Sequence, residues 1–137
     1  MKGIEPSHIS PRCFFGGKNI NIGRDTFINY GCFFDAADTI SIGQRVRVGM
    51  NVTMVTGSHQ IGPPEQRAGA EEAYPIHIGN GVWIGANVTI LPGVKIGDGA
   101  VVGAGSVVTK SIPANELHAG VPARRMRPLL ADLELLG

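Results

Sequence analysis

Branched aliphatic residues recur at a spacing of six in this chain, and that spacing restricts the possible folds more than any other feature. Six of them stand in phase, at Ile78, Ile84, Ile90, Ile96, Val102 and Val108. Neither a helix of 3.6 residues per turn nor a strand that alternates every two residues repeats in this way. The pattern predicts a solenoid of short stacked units, each of which buries its aliphatic residues against the next.

The same register is present upstream, so the repeat covers most of the chain. It includes Ile22, Ile28 and Phe34, and it resumes after two extra residues at Ile42, Val48 and Met54. A glycine often follows the aliphatic residue, and we expect it to relieve the steric cost of a tight corner. If three hexads make one triangular coil, residues 22–113 form about four to five coils.

Three regions interrupt the repeat and divide the expected single domain of 137 residues. We predict coils over about residues 18–113, with a long polar loop at 57–75 and a small excursion at Asp35–Asp38. After the exit from the column at Pro113–Pro128, the run PLLADLELLG predicts a short amphipathic helix over about residues 128–136. Such a helix would cover strand edges at the end of the stack.

Composition excludes several classes of function. The net charge of +1 gives no bulk attraction to nucleic acid or to an anionic membrane. No signal-peptide core and no membrane-spanning apolar run is present, so we expect a cytoplasmic protein. Cys13 and Cys32 stand in no metal or redox spacing, which predicts free thiols and no metal site.

Three motifs together with the hexads resemble those of a known family. They are TGSH at Thr56–His59, the block PIHIGNGVWIGANVTILPGVKIGDGAVVGAGSVVTKSIP from Pro75 to Pro113, and AGVPARRMR at Ala119–Arg127. Over roughly residues 18–128 the chain resembles the hexapeptide-repeat acyltransferases, within them the galactoside and maltose O-acetyltransferase group. Full-length members carry a helical N-terminal segment, and fewer than about 20 residues precede the first clear coil here, so a short form is expected.

The resemblance implies both a fold and an activity. The implied fold is all-β, a left-handed parallel β-helix, whereas the hexad pattern by itself leaves the handedness open. The implied activity is direct transfer of an acetyl group from acetyl-CoA to a hydroxyl of a sugar, a polysaccharide precursor or a related small molecule. Members are homotrimers with active sites between neighbouring subunits, and they need no metal.

His59 is the candidate catalytic residue, because it matches the catalytic histidine of that family. It stands where the last upstream coil enters the long loop. An alcohol attacks a thioester poorly until its proton is removed, and an imidazole, with an unperturbed pKa of about 6.5, can accept that proton near neutral pH. A single histidine is otherwise more often structural or merely exposed.

Three further residues are candidates for substrate binding by the same resemblance. Asn29 aligns with an asparagine of the acceptor pocket, although a corner residue in the left-handed conformation is an equally good interpretation. Asp35 resembles an acceptor-contacting aspartate, one residue earlier than the usual pattern. Trp83, the only tryptophan, matches a residue near the reactive end of the cofactor, and packing is the alternative.

Coenzyme A requires a smooth groove for its pantetheine arm and cations for its phosphates. Small residues at coil edges and a basic cluster near the last coil match the family's coenzyme-binding end. The candidate cofactor-binding residues are Ala86, Ala104, Thr109, Lys110, Arg124 and Arg127.

Two other classes of function remain open on the sequence. The γ-type carbonic anhydrases share the β-helix but need three zinc-binding histidines, and only His59 and His77 lie near suitable coils. The other alternative is a non-catalytic β-helix scaffold. The acceptor is not fixed by the sequence, although Glu65, Gln66 and Arg67 of the loop could reach one.

Overall fold

The computed structural model describes residues 3–129, which form strands and turns and no helix. Within that range no helix is therefore long and apolar enough to cross a membrane. The strands are short because the chain turns a corner after two or three residues, as the hexads predict. In chain order they are β1 (His8–Ile9), β2 (Phe14–Phe15), β3 (Ile20–Ile22), β4 (Phe27–Ile28), β5 (Phe33–Phe34), β6 (Ile40–Ile42), β7 (Arg47–Val48), β8 (Thr53–Met54), β9 (Gly57–Ile61), β10 (Ala68–Ala73), β11 (Ile76–Ile78), β12 (Trp83–Ile84), β13 (Thr89–Ile90), β14 (Lys95–Ile96), β15 (Val101–Val102), β16 (Val107–Val108), β17 (Glu116–Ala119) and β18 (Arg124–Pro128).

Three sheets form the sides of a column of about six turns, a left-handed parallel β-helix, and their strands pair in parallel except for β17 with β18. The first sheet has the order β14-β11-β6-β3, the second β1-β4-β7-β12-β15-β17-β18, and the third β16-β13-β8-β5-β2. Strands three apart in the coil sequence pair in register, so Ile84 lies beside Val48 on one side and Val102 on the other. The fold expected from the hexads is confirmed.

The core of the column is a single cluster of buried, mainly aliphatic residues, and it also includes Phe34, Cys32 and Met54. The hexad residues are buried, and the fifth places of the hexads lie in the interior with them. Ser106 is a buried polar exception, and its hydroxyl donates to the carbonyl of Gly103. The stacking therefore satisfies both the apolar side chains and the backbone, since each strand pairs with the coil above and below.

Glycines next to the hexad residues have a different role from the expected one. At Gly85 a Cβ atom would lie 2.6 Å from the backbone nitrogen of Ala104 in the next coil, so it is the close approach of coils that requires glycine there. The left-handed conformation occurs elsewhere, for example at Gly81 with φ +70° and at Asn87 with φ 58°. The expectation that the glycine after each hexad residue relieves a tight corner was therefore wrong. The corners do use the left-handed conformation, but at other residues.

The ends and the long loop differ from the expected boundaries. The column begins before residue 18, because β1 and β2 pair with β4 and β5 of the next coil. The segment 57–75 contains an antiparallel hairpin of β9 and β10, which projects from the column. At the other end β17 and β18 form a second hairpin on the second sheet. The helix expected over residues 128–136 lies outside the described residues except at its start, where Pro128 ends β18.

Candidate functional site

His59 lies in β9 of the projecting hairpin, opposite Glu71 of β10. Its side chain is exposed, and its Nδ1 atom is 3.0 Å from the carbonyl oxygen of Gly69. Because a carbonyl oxygen can only accept a hydrogen bond, Nδ1 carries the proton in this contact. The neutral ring then keeps its lone pair on Nε2, so the contact selects the tautomer in which Nε2 can accept a proton.

Asp35 fixes the base of the same hairpin. Its Oδ1 accepts hydrogen bonds from the backbone nitrogen of Thr56 at 2.9 Å and from the Thr56 hydroxyl at 2.6 Å. Its Oδ2 accepts one from the backbone nitrogen of Gly57 at 2.9 Å. These bonds hold the chain in place where it leaves β8, immediately before His59.

The same contacts set the charge of Asp35. Partial burial alone would raise the pKa of this carboxyl, but the hydrogen bonds from Thr56 and from the backbone of Gly57 and Ala37 lower it by more. The pKa of Asp35 therefore lies below its ordinary value of 3.8. Asp35 is a carboxylate throughout the neutral range.

Asp35 and His59 line one open pocket of about 590 Å³ between the column and the hairpin. The pocket is acidic, since Glu71, which pairs with His59 and shares its face of the hairpin, lines it beside Asp35, and no lysine or arginine among residues 3–129 does so. Carboxylates accept hydrogen bonds from hydroxyl groups, and the imidazole can remove a proton from one. The lining residues are Asp35, Ala37, Gly57, Ser58, His59, Glu71, Glu72 and Ala73.

A second groove, of about 540 Å³, runs along the second sheet towards the C-terminal hairpin. Glycine and alanine at the coil edges leave its floor shallow and its backbone accessible, while Arg127 supplies a cation at one end. This combination suits a long, thin ligand with an anionic end. The groove is lined by Gly49, Trp83, Gly85, Ala86, Val101, Val102, Gly103, Ala104, Leu117, Arg127 and Leu129.

The structure thus divides the sequence-predicted site residues into groups. Asp35 and His59 are together in the pocket, whereas Trp83, Ala86, Ala104 and Arg127 are together in the groove. No residue in the described part of the chain lines both the pocket and the groove.

Four candidates line neither feature. The Oδ1 atom of Asn29 accepts from the backbone nitrogen of Tyr30 at 2.9 Å, which is a local contact. Thr109 and Lys110 are exposed directly after β16, and Arg124 is exposed in β18.

Sequence reasoning missed Glu71 and Glu72 and favoured other loop residues. Glu65, Gln66 and Arg67 lie at the tip of the hairpin, where they do not line the pocket. A hairpin pairing would have placed the AEEA run beside TGSH, but the two prolines between them indicated an irregular loop.

The cysteines form no disulfide, and the residues that the structure describes form no metal-binding group. Cys13 and Cys32 are free, and both donate to the carbonyl oxygen of Asn29 at 3.3 Å. Among residues 3–129 no three His, Cys, Asp or Glu side chains form a group that could hold a metal ion.

Comparisons with known proteins agree with this geometry. Residues 75–110 match the family described as bacterial transferase hexapeptide (six repeats). The galactoside O-acetyltransferase of Escherichia coli K12 is 42% identical over 126 residues, which are 91% of this chain and 62% of that protein. The chain spans only 59% to 63% of the length of three curated relatives that it matches.

Solved structures show the same fold. The maltose O-acetyltransferase of Clostridium difficile 630 has a TM-score of 0.83 at 40% identity, over 93% of this chain and 68% of that chain. A hexapeptide-repeat acetyltransferase of Vibrio cholerae, complexed with acetyl coenzyme A, has a TM-score of 0.85 at 39% identity, over 93% of this chain and 70% of that chain.

Proposed function

The chain belongs to the hexapeptide-repeat acyltransferases of the galactoside and maltose O-acetyltransferase group, and from that premise we propose that it is an acetyl-CoA-dependent O-acetyltransferase. The acceptor is a hydroxyl of a carbohydrate, and His59 is the general base. The observation that carries the proposal is the contact of His59 Nδ1 with the Gly69 carbonyl, which leaves Nε2 as the proton acceptor at an open pocket.

The proposed reaction is a direct transfer. Nε2 of His59 takes the proton of the acceptor hydroxyl while the hydroxyl oxygen bonds to the carbonyl carbon of the thioester. The tetrahedral intermediate then collapses, the carbon–sulfur bond breaks, and the imidazolium returns the proton to the coenzyme A sulfur. No cysteine nucleophile is required, which agrees with the buried position of Cys32.

The groove is the proposed donor site. Ala86 and Ala104 leave room for the pantetheine arm along the coil edges, and Trp83 is 59% exposed beside them. Arg127 is the cation that lines the groove, and Arg124, Lys110 and Thr109, which are exposed outside its lining, are the proposed further contacts of the phosphates. In relatives of this group, acetyl-CoA or coenzyme A is bound.

The separation of the two features supports a homotrimer. A general base must come within hydrogen-bond reach of the reacting group, about 2.6–3.2 Å between heavy atoms. Because no lining residue is common to pocket and groove, we propose that His59 of one copy faces the groove of a neighbouring copy. Three copies related by rotation would close such a heterologous contact into a ring.

The acceptor is proposed to be neutral and rich in hydroxyl groups. Glu71 gives the pocket a carboxylate that accepts hydrogen bonds from sugar hydroxyls, and its charge together with that of Asp35 would repel an anionic ligand. Asn29 stays a candidate for acceptor binding by the family resemblance. We expect the reaction in the cytoplasm, where acetyl-CoA is available.

Release of the coenzyme A thiol from acetyl-CoA tests the proposal, measured across a panel of free sugars, nucleotide sugars and oligosaccharides. We expect His59→Ala to lower kcat by about 10²- to 10⁴-fold without loss of the fold. His77→Ala is the matched control, since His77 is also exposed but lies on the first sheet outside the pocket. Wild-type turnover by His59→Ala would remove the assignment.

A further inference from the structure

An ion cluster ties the two strands of the C-terminal hairpin together. Glu116 Oε1 is 3.0 Å from His118 Nε2, and Glu116 Oε2 is 3.2 Å from Arg125 Nε. The side chains of Glu116 and His118 are only 20% and 12% exposed. The hydrogen bond from His118 has the largest effect on the pKa of Glu116 and lowers it; burial raises the pKa, the hydrogen bond from Arg125 lowers it again, and the pKa stays below its ordinary value.

The cluster lies on the opposite face of the hairpin from the donor groove. Leu117 pairs with Arg127, and both line the groove. The next pair is His118 with Arg125, so the register shifts and Met126 is the extra residue of a bulge. Since neighbouring residues of a strand point to opposite faces, Glu116 and His118 point away from the groove that Leu117 faces.

The position of Arg127 depends on this hairpin. Among the strands of residues 3–129, β18 is the last of its sheet and pairs with β17 alone. β17 is itself held by β15, where Leu117 lies beside Val101 of the groove. Glu116 belongs to β17 and Arg125 to β18, so their ion pair connects the held strand with the edge strand.

We propose that Glu116, His118 and Arg125 are positioning residues for the acetyl donor, which they do not touch. They fix the register of β18 and thereby hold Arg127 and the adjacent wall of the groove in the geometry that binds coenzyme A. The inference rests on the proposed function of the groove. Because the three side chains face away from the groove, their substitution tests the inference separately from the proposed function.

The test compares variants in steady-state kinetics with acetyl-CoA and the best acceptor, and in calorimetric titrations with coenzyme A. Glu116→Gln keeps the shape of the side chain and removes its charge. We expect the KM for acetyl-CoA and the Kd for coenzyme A to rise about two- to five-fold, the effect of losing a partly exposed ion pair. The kcat and the KM for the acceptor should not change.

Glu5→Gln is the matched control. Glu5 pairs with Arg24 at 3.3 Å near the opposite end of the column, and neither residue belongs to a strand or lines the groove. We expect this variant to leave all three kinetic constants unchanged. Thermal unfolding of both variants measures any general loss of stability.

A double substitution shows whether the cluster acts through Arg127. If it does, Glu116→Gln combined with Arg127→Gln is no worse in coenzyme A binding than Arg127→Gln alone. Additive effects, an unchanged Kd in Glu116→Gln, or a fall in kcat without a change in KM would each overturn the inference. Failure of the wild-type protein to turn over acetyl-CoA would instead contradict the proposed function, because the titrations with coenzyme A do not depend on turnover.

Discussion

Replacing Asp35 by asparagine should destabilise the protein by about 1–3 kcal/mol, the cost of leaving a hydrogen-bond donor unsatisfied. The asparagine oxygen can replace Oδ1, which accepts both bonds from Thr56. Its amide nitrogen must then replace Oδ2, and it would oppose the backbone N–H of Gly57 donor to donor. The base of the hairpin therefore loses a bond that asparagine cannot restore in either orientation.

The difference between the two proteins should also depend on pH. Because the pKa of Asp35 is lowered in the folded state, its ionisation stabilises the fold above the ordinary value of 3.8. That stabilisation is lost as the pH falls through the lowered pKa. We expect the difference in unfolding free energy between wild type and Asp35→Asn to be full at pH 5–7 and to shrink below about pH 4.

Denaturant unfolding at a fixed protein concentration measures both quantities. Asp38→Asn is the matched control, because the one side-chain hydrogen bond described for Asp38, from the backbone of Thr39 to Oδ1, can be kept by an asparagine oxygen. A cost for Asp35→Asn no greater than that for Asp38→Asn would refute the reasoning. So would a difference that persists unchanged at pH 3.

Two further predictions concern packing and thiol reactivity. Gly85→Ala should lower the free energy of unfolding by about 1–3 kcal/mol, because the new Cβ would lie 2.6 Å from the backbone of the next coil. Gly81→Asn should lower it by less than about 1 kcal/mol, because Gly81 faces open space and asparagine tolerates its φ of +70°. Equal costs in denaturant unfolding would contradict this account of the glycines. Burial raises the pKa of the Cys32 thiol to about 11, so a thiol reagent at pH 8 should modify only the half-buried Cys13 of the native protein and both cysteines after unfolding. Rapid native modification of Cys32 would show that it is accessible.

The column could be predicted from sequence because each coil buries the same residue types at the same places. The first coil was missed for the same reason. Its inward residues Ile4, Ile9 and Phe15 are separated by five and then six residues and have no glycine after the first two. The chain still pairs there, since a parallel strand needs only backbone contact with the coil beside it.

The site was less accessible to sequence reasoning. His59 could be selected as a candidate from TGSH, but its hydrogen bond to Gly69 depends on a hairpin whose polar strands have no period-two apolar pattern. Asp35 stands one residue earlier than the family pattern. Its role depends on three hydrogen bonds from Thr56 and Gly57, which no sequence spacing predicts. Glu116 and Arg125 come together only through the register of the last hairpin.

The central claim is that His59 of one copy acts on a donor held in the groove of another, and subunit mixing tests it most directly. His59→Ala removes the base, and Ala104→Trp fills the groove, so each variant alone should be inactive. If the two are unfolded, mixed in equal amounts and refolded together, about a quarter of the sites should combine an intact His59 with an intact groove from a neighbouring copy. The account predicts recovery of about a quarter of wild-type thiol release. Activity no higher than that of the separate variants would contradict it.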